Sequence, residues 1–294
     1  MDKLIYFPLL GFLLSLILTK IIIKKIKKFG YDIHKLERYK VPEMGGLAVL
    51  LSSCLVFPYI NLEFLVPILS TGIVGVIDDL SNLSPKEKLI LLFLVGFFFG
   101  LTFNVYFAIG LGIMFMVFSN LTNMLAGFNG LEVGLGVLSS LFLGIILLLD
   151  NQYIGFIACL TFSFIYLGLL FYNRYPAKIF PGDCGTLPIG AFLSFISLYY
   201  NEIIPFFIIM APYIIDASLK YLSAGVMSRD EHKPTTIRED GKLYYISGYL
   251  SLPRLILKIK PMKEYYLVSV ILLIEVLFGI LAIVFKEIVW TFLT

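Results

Sequence analysis

The sequence predicts an all-α polytopic membrane protein of about ten transmembrane helices, and three observations carry that reading. Of 294 residues, 59% are hydrophobic and 15% charged, whereas charge makes up roughly a quarter of a soluble domain. Mean hydropathy is +0.94. The apolar residues fall in blocks of roughly 15 to 22, the length a helix needs to cross a bilayer, and the Gly, Pro and aromatic residues inside them do not follow the alternation of a transmembrane barrel. A net charge of +3 gives no basis for nucleic-acid binding. Cys54, Cys159 and Cys184 form no CxxC pair, so neither a disulfide framework nor a zinc site is indicated. The first block lacks a small-residue cleavage site behind it and reads as a retained helix.

Spans are expected at 4–23, 44–60, 63–79, 86–102, 105–121, 134–150, 153–172, 187–201, 203–224 and 264–285. Lys and Arg set the orientation. Positions 20–42 hold eight, 78–88 two, 120–134 none, 173–186 two and 220–263 nine, leaving only Lys3 and Lys286 elsewhere. The positive-inside rule then places both termini outside and the five odd-numbered connections in the cytoplasm. With no internal repeat or low-complexity tract, residues 1–294 read as one integral membrane domain with a cytoplasmic loop at 225–263, multi-pass in the cell membrane.

The polar residues gather at the cytoplasmic mouths. Asp78 and Asp79 end the third span, where two partly buried carboxylates need an offsetting cation. Ser84-Pro85-Lys86-Glu87 reads as a capping box with Pro at the first helical position, which starts the fourth span there and carries Lys88 back toward the aspartates. Two loop carboxylates paired with two lysines explain the same residues equally well.

Asn120 and Asn123, three apart, share a helix face and present two amides to one point. Ala126-Gly127-Phe128-Asn129-Gly130-Leu131-Glu132 follows. Its glycines permit close approach of a ligand and Asn129-Gly130 is a turn that leaves the amide free, although a plain interhelical turn accounts for the pattern too. After the seventh span, Pro181-Gly182 force a sharp re-entry and leave Asp183 at the mouth of the eighth, as a ligand or as a helix N-cap. Asp78, Asp79 and Asp183 with an amide from Asn120 or Asn123 make an all-oxygen set suited to Mg²⁺ or Mn²⁺ and unsuited to zinc. In the long loop, Arg229, His232 and Lys233 could grip a diphosphate, or simply be a solvated basic loop. Residues 251–263 mix Leu and Ile with Arg254, Lys258, Lys260 and Lys263, as an interfacial segment or a linker would. Asp216 and Lys220, four apart, read as a structural pair.

Four of these stretches resemble the polyprenyl-phosphate N-acetylhexosamine-1-phosphate transferases. They are Asp78-Asp79 with Leu83 to Leu89, the Asn120 to Glu132 run, Asn173-x-Tyr175-Pro176 to Gly182-Asp183, and the His232 loop. Val41-Pro42-Glu43-x-x-Gly46 is similar to the segment that opens the family's second span. The asparagine-glycine run looks closer to the dolichyl-phosphate GlcNAc-1-phosphotransferases than to the peptidoglycan enzymes. The resemblance implies ten helices, a homodimer, a UDP-GlcNAc or related UDP-sugar donor, a polyprenyl or dolichyl phosphate acceptor, and Mg²⁺ (alternatively Mn²⁺) on Asn123 and Asp183. It implies catalytic roles for Asp78, Asp79 and Lys88, with Lys88 on phosphate, and puts Glu43, Asn120, Gly127, Asn129, Glu132, Arg229, His232 and Lys233 on the nucleotide sugar. The sequence departs from the family in its last loop, where Asp230-Glu231 precede His232. A transporter of a phosphorylated or lipid-linked substrate is the rival class. Against it, charge in the middles of the spans is sparse (Asp216, Lys220, Glu275), there are no evident inverted repeats, and the informative residues sit on one face.

Overall fold

The computed structural model describes residues 4–35, 39–225 and 235–293, with side chains described as far as 288. Helices are α1 (Phe7–Lys25), α2 (Gly46–Val56), α3 (Leu62–Ser81), α4 (Pro85–Gly100), α5 (Val105–Met114), α6 (Asn120–Met124), α7 (Leu131–Leu149), α8 (Tyr153–Asn173), α9 (Asp183–Tyr199), α10 (Ile203–Ile209), α11 (Ala211–Ala224), α12 (Leu252–Ile259) and α13 (Glu264–Leu293). Each expected span falls on a helix. Six are long and apolar enough to cross a membrane, and a seventh results if α10 and α11 count as one. Exposed side chains such as Leu51, Ile73, Phe98, Ile109, Leu273 and Leu277 ring the bundle, a surface that only lipid suits. The protein is therefore a multi-pass membrane protein.

Three details differ from the sequence reading. The segment 203–224 is broken by 60° rather than straight, because Pro212 at the start of α11 lacks the N–H that would continue α10. A π-helical turn at Phe115–Ser119 joins α5 to α6. The fold is also not purely α. β1 (Phe29–Tyr31) pairs antiparallel with β2 (Lys40–Pro42), Gly30 opposite Val41, and β3 (Thr236–Ile237) pairs with β4 (Leu243–Tyr244). The amphipathic segment after 251 is the short surface helix α12, capped by Ser251 Oγ accepting from the Arg254 N–H.

The buried centre is α9, whose residues from Cys184 to Ser197 are all inaccessible. It packs against α3, while α8 packs between α1 and α7 and α13 closes over α7. Phe162 of α8 stacks on Phe192 of α9 at 4.1 Å, and Phe64, Phe99 and Tyr199 surround Phe195. The approach of α9 to its neighbours is set by backbone, not by side chains. A Cβ at Gly46 would lie 2.2 Å from the Gly185 nitrogen, and one at Gly75 would lie 2.4 Å from the Cys184 nitrogen. Small residues at such crossings give membrane helices the close packing that the hydrophobic effect does not supply in lipid.

Gly75→Ala must therefore push α3 off α9, and we expect a loss of at least about 1–3 kcal/mol, seen as a lowered melting temperature in detergent. Gly110→Ala, whose added methyl would meet nothing closer than 3.7 Å, should leave the melt unchanged or raise it slightly, since Ala is the better helix former.

Candidate active site

The C-terminus of α3 delivers two buried carboxylates. Asn82 takes a left-handed conformation that stops the helix, and Asp78 Oδ1 accepts the Leu83 N–H at 2.7 Å, turning the chain. The expected capping box then starts α4: the Glu87 carboxylate accepts the Ser84 N–H at 2.8 Å, and Ser84 Oγ accepts the Glu87 N–H at 3.3 Å. One turn of helix later, Lys88 points back into the site. Its ammonium lies 2.5 Å from Asp78 Oδ2 and also contacts Asp183 Oδ2.

Asp79 does different work. Its Oδ1 accepts the Asp183 N–H at 3.1 Å and its Oδ2 the Cys184 N–H at 3.0 Å, so it caps α9 from another helix. Asp183 is thereby not its own helix's cap, and its carboxylate is left for Lys88. Gly182 makes this possible. With φ of 68° it takes a turn that other residues resist, and a Cβ there would stand 2.7 Å from Asp79 Oδ2. Lys28, which precedes β1, donates to the Asp79 carbonyl, and its ammonium lies 3.6 Å from both Asp79 Oδ1 and Glu43 Oε2. Glu43 thus joins the site through a lysine.

Of the two amides expected to converge, only Asn123 arrives. Its Nδ2 donates to Asp183 Oδ2 at 3.3 Å and its Oδ1 accepts from Thr186 Oγ1 at 2.9 Å. Asn120 instead contacts Met124 Sδ at 3.4 Å, one turn further along the same helix. Lys220 holds the end of α6 by donating to the Met124 carbonyl at 2.5 Å, and Asp216 pairs with Lys220 at 2.8 Å as expected.

Gly127, Asn129 and Glu132 belong to a second polar cluster beside the first. Gly127 has a φ of 103°. Asn129 is engaged through its nitrogens: its Nδ2 donates to Asp32 and its backbone N–H to Glu264. Glu132, in the first turn of α7, is buried and its Oε2 has no hydrogen-bond partner among the described residues. Arg229, His232 and Lys233 lie outside the described residues.

Among the described residues, no group of three or more His, Cys, Asp or Glu side chains is arranged to hold a metal ion. The chemistry of the donors nevertheless fits a hard divalent cation. Asp78 and Asp183 direct one oxygen each at a single ammonium, with the Asn123 amide on Asp183. The carboxylates and the amide are hard ligands of the kind such an ion takes, with the buried Cys184 thiol beside Asp79 and Asp183.

Lys28, Asp32, His34, Lys35, Thr186 and Glu264 escape sequence reading. The signal for four of them was present: in a stretch that reads as positive-inside charge, Asp32 and one of only two histidines stand out. Burial of His34 pushes its imidazole down to about 4, with Asp32 opposing the shift and Lys35 and Arg254 adding to it.

A cluster of carboxylates, lysines and an amide thus sits at one end of a helical membrane bundle. The profile of glycosyl transferase family 4 matches residues 61–201. The chain is similar to a Methanocaldococcus jannaschii protein provisionally named a glycosyltransferase, at 60% identity over 94% of this chain and 95% of the other. It is also similar to a Sulfolobus acidocaldarius protein provisionally named UDP-N-acetylglucosamine–dolichyl-phosphate N-acetylglucosaminephosphotransferase, at 31% identity over 96% of each chain. The phospho-N-acetylmuramoyl-pentapeptide-transferase of Staphylococcus carnosus matches at 30% over 66% of this chain and 75% of the other. The chain belongs to glycosyl transferase family 4.

Because the folded state keeps His34 neutral while an unfolded chain protonates it near pH 6.5, His34 adds stability that is complete above 6.5 and lost progressively as pH falls toward about 4. Thermal melts in detergent between pH 7.5 and 4.5 should show this slope. His34→Gln should flatten it.

Proposed function

We propose that this protein transfers N-acetylglucosamine-1-phosphate, or a related N-acetylhexosamine-1-phosphate, from its UDP-sugar to a polyprenyl or dolichyl phosphate, releasing UMP. The product is the lipid-diphosphate-linked sugar that starts glycan assembly. In this reading ten helices cross the membrane, both termini lie outside, the site faces the cytoplasm and the enzyme works as a homodimer. The observation that carries it is the convergence of Asp78, Asp79, Lys88, Asn123 and Asp183 from four helices at one end of the bundle. Names given to relatives in two branches of the family, both sugar-phosphate transferases, support the same chemistry.

The reaction forms a bond between the acceptor phosphate oxygen and the β-phosphorus while the bond to UMP breaks, so charge on the diphosphate must be offset and the partners aligned in line. Lys88 can turn from its carboxylates to a phosphate oxygen, and Lys28 stands ready on the other side of Asp79. Mg²⁺, or Mn²⁺, held by Asp183 and Asn123 would supply Lewis-acid charge to the diphosphate. Asp78 takes any residual proton from the acceptor and orients it. Direct attack is favoured over an aspartyl-phosphate type of intermediate because a lipid phosphate carrying about two negative charges is a competent nucleophile. Asp79, committed to the end of α9, holds the scaffold. The isoprenoid tail stays in the bilayer against the apolar helix faces while its phosphate meets a water-borne donor.

Purified protein with Mg²⁺, UDP-GlcNAc and dolichyl phosphate should release UMP. Asp183→Asn and Lys88→Met should each lower kcat by roughly 100-fold or more, and EDTA should stop the reaction. Activity that survives both EDTA and Asp183→Asn would overturn the metal assignment. Exchange of labelled UMP into UDP-GlcNAc in the absence of lipid would replace direct attack by the covalent route.

A further inference from the structure

The two faces of β1 differ in character. Side chains alternate along a strand, so Phe29 and Tyr31 point outward, 49% and 55% exposed, while Gly30 and the preceding Lys28 face the site. On that inner face a Cβ at Gly30 would collide with Glu43 Oε1, and the Glu43 carboxylate therefore lies flat against the strand. Lys28 stands beside it. Its ammonium is 3.6 Å from both Glu43 Oε2 and Asp79 Oδ1, and it donates to the Asp79 carbonyl.

The outward aromatics fix the depth at which this strand lies. The apolar span that includes α1 ends at Lys25, and exposed aromatic rings a few residues beyond a span are what the boundary between membrane and water selects. Lys28 is thereby held at the level of lipid headgroups with its ammonium turned into the site. The approach to it is positive: Lys20, Lys24, Lys25 and Lys27 are exposed at the same end of α1, and no acidic residue occurs from Lys3 to Tyr31. The two lysines of the site are also unequally committed. Lys88 lies within bonding distance of two carboxylates. An ammonium has three N–H groups, and Lys28 uses one on the Asp79 carbonyl, while its carboxylate neighbours at 3.6 Å stand beyond hydrogen-bond reach. Its other two have no acceptor among the described residues.

We infer that Lys28 binds the phosphate of the lipid acceptor, holding it at headgroup depth beside Asp79, and that the exposed lysines at the end of α1 draw the anionic lipid toward it. This rests on the reading of the reaction as sugar-phosphate transfer to a lipid phosphate. A phosphate monoester carrying about two negative charges meets two N–H groups of a cation, so each bond is charge-assisted from both sides. A water-borne donor gains nothing from a cation anchored at the boundary by Phe29 and Tyr31, and Lys28 therefore serves one substrate and not the other. A lysine that merely held Asp79 and Glu43 in place would act on kcat or on both substrates alike.

The test varies each substrate in turn in a UMP-release assay with dolichyl phosphate in detergent micelles. Lys28→Met should raise KM for dolichyl phosphate roughly tenfold or more and leave kcat and KM for UDP-GlcNAc within about twofold of wild type. Lys28→Arg, which keeps the charge and the donors, should restore most of the lost affinity. A Lys28→Met enzyme whose KM rises for both substrates alike, or only for UDP-GlcNAc, or which changes in kcat alone, overturns the inference. Should Lys28→Met fail to fold, acylation of the wild-type lysines read by mass spectrometry decides. Dolichyl phosphate should protect Lys28 and UDP-GlcNAc alone should not; the reverse pattern, or no protection by the lipid, overturns the inference. Wild-type enzyme that releases no UMP from any UDP-sugar would instead remove the reading on which the inference stands.

Discussion

The site depends on one ammonium ion shared by two carboxylates, one buried and one partly so. Asp78 and Asp183 come from helices whose backbones are forced together at Gly75, so their negative charges meet whether or not they repel. Removing such charges from water is costly unless a partner of opposite sign is fixed in place. Lys88 is that partner. It is delivered not by chance proximity but by a helix start built from Ser84, Pro85 and Glu87, which aims the first turn of α4 at the end of α3. Asp79 completes the arrangement by holding the N-terminus of α9, so that of two neighbouring aspartates one meets Lys88 and the other caps a helix.

Much of this was legible in the sequence because the relevant signals are local. The capping box at Ser84, the carboxylate pair at Asp78-Asp79, the re-entry at Pro181-Gly182 and the pairing of Asp216 with Lys220 each depend on residues a few positions apart. What was not legible depends on distance along the chain. Asp32 meets Asn129 across 97 residues and Lys35 meets Glu264 across 229, and no periodicity reports such pairings. Asn120 and Asn123 do lie on one helix, but their amides meet different partners, Met124 and Asp183, which the i to i+3 spacing alone does not report. The bend at Met210 was likewise hidden in an unbroken apolar run, although Pro212 marked it.

The two ends of the bundle are both charged but differ in design. At the far end of α7, roughly 28 Å from its start, Asp150 and Glu202 each pair with Lys286 at 2.7 Å. That trio joins the ends of α7 and α9 to α13 and leaves the amide-rich chemistry to the opposite pole. Between the poles, Glu275 of α13 accepts from Ser139 Oγ of α7 at 2.6 Å, a polar link where the bilayer offers no water. The last helix is thus fastened to α7 in its middle and to the residues flanking α7 at its two ends, Glu264 to Asn129 and Lys286 to Asp150.

The contacts of Gly46 and Gly75 with α9 carry an implication for how such a protein can vary. Because main chain rests directly on main chain at the crossings that aim Asp183, the placement of its carboxylate owes little to the bulky residues facing the lipid. Those outer positions are free to drift, adapting the protein to bilayers of different thickness or fluidity, while the pole that holds Asp78, Lys88 and Asp183 keeps its shape.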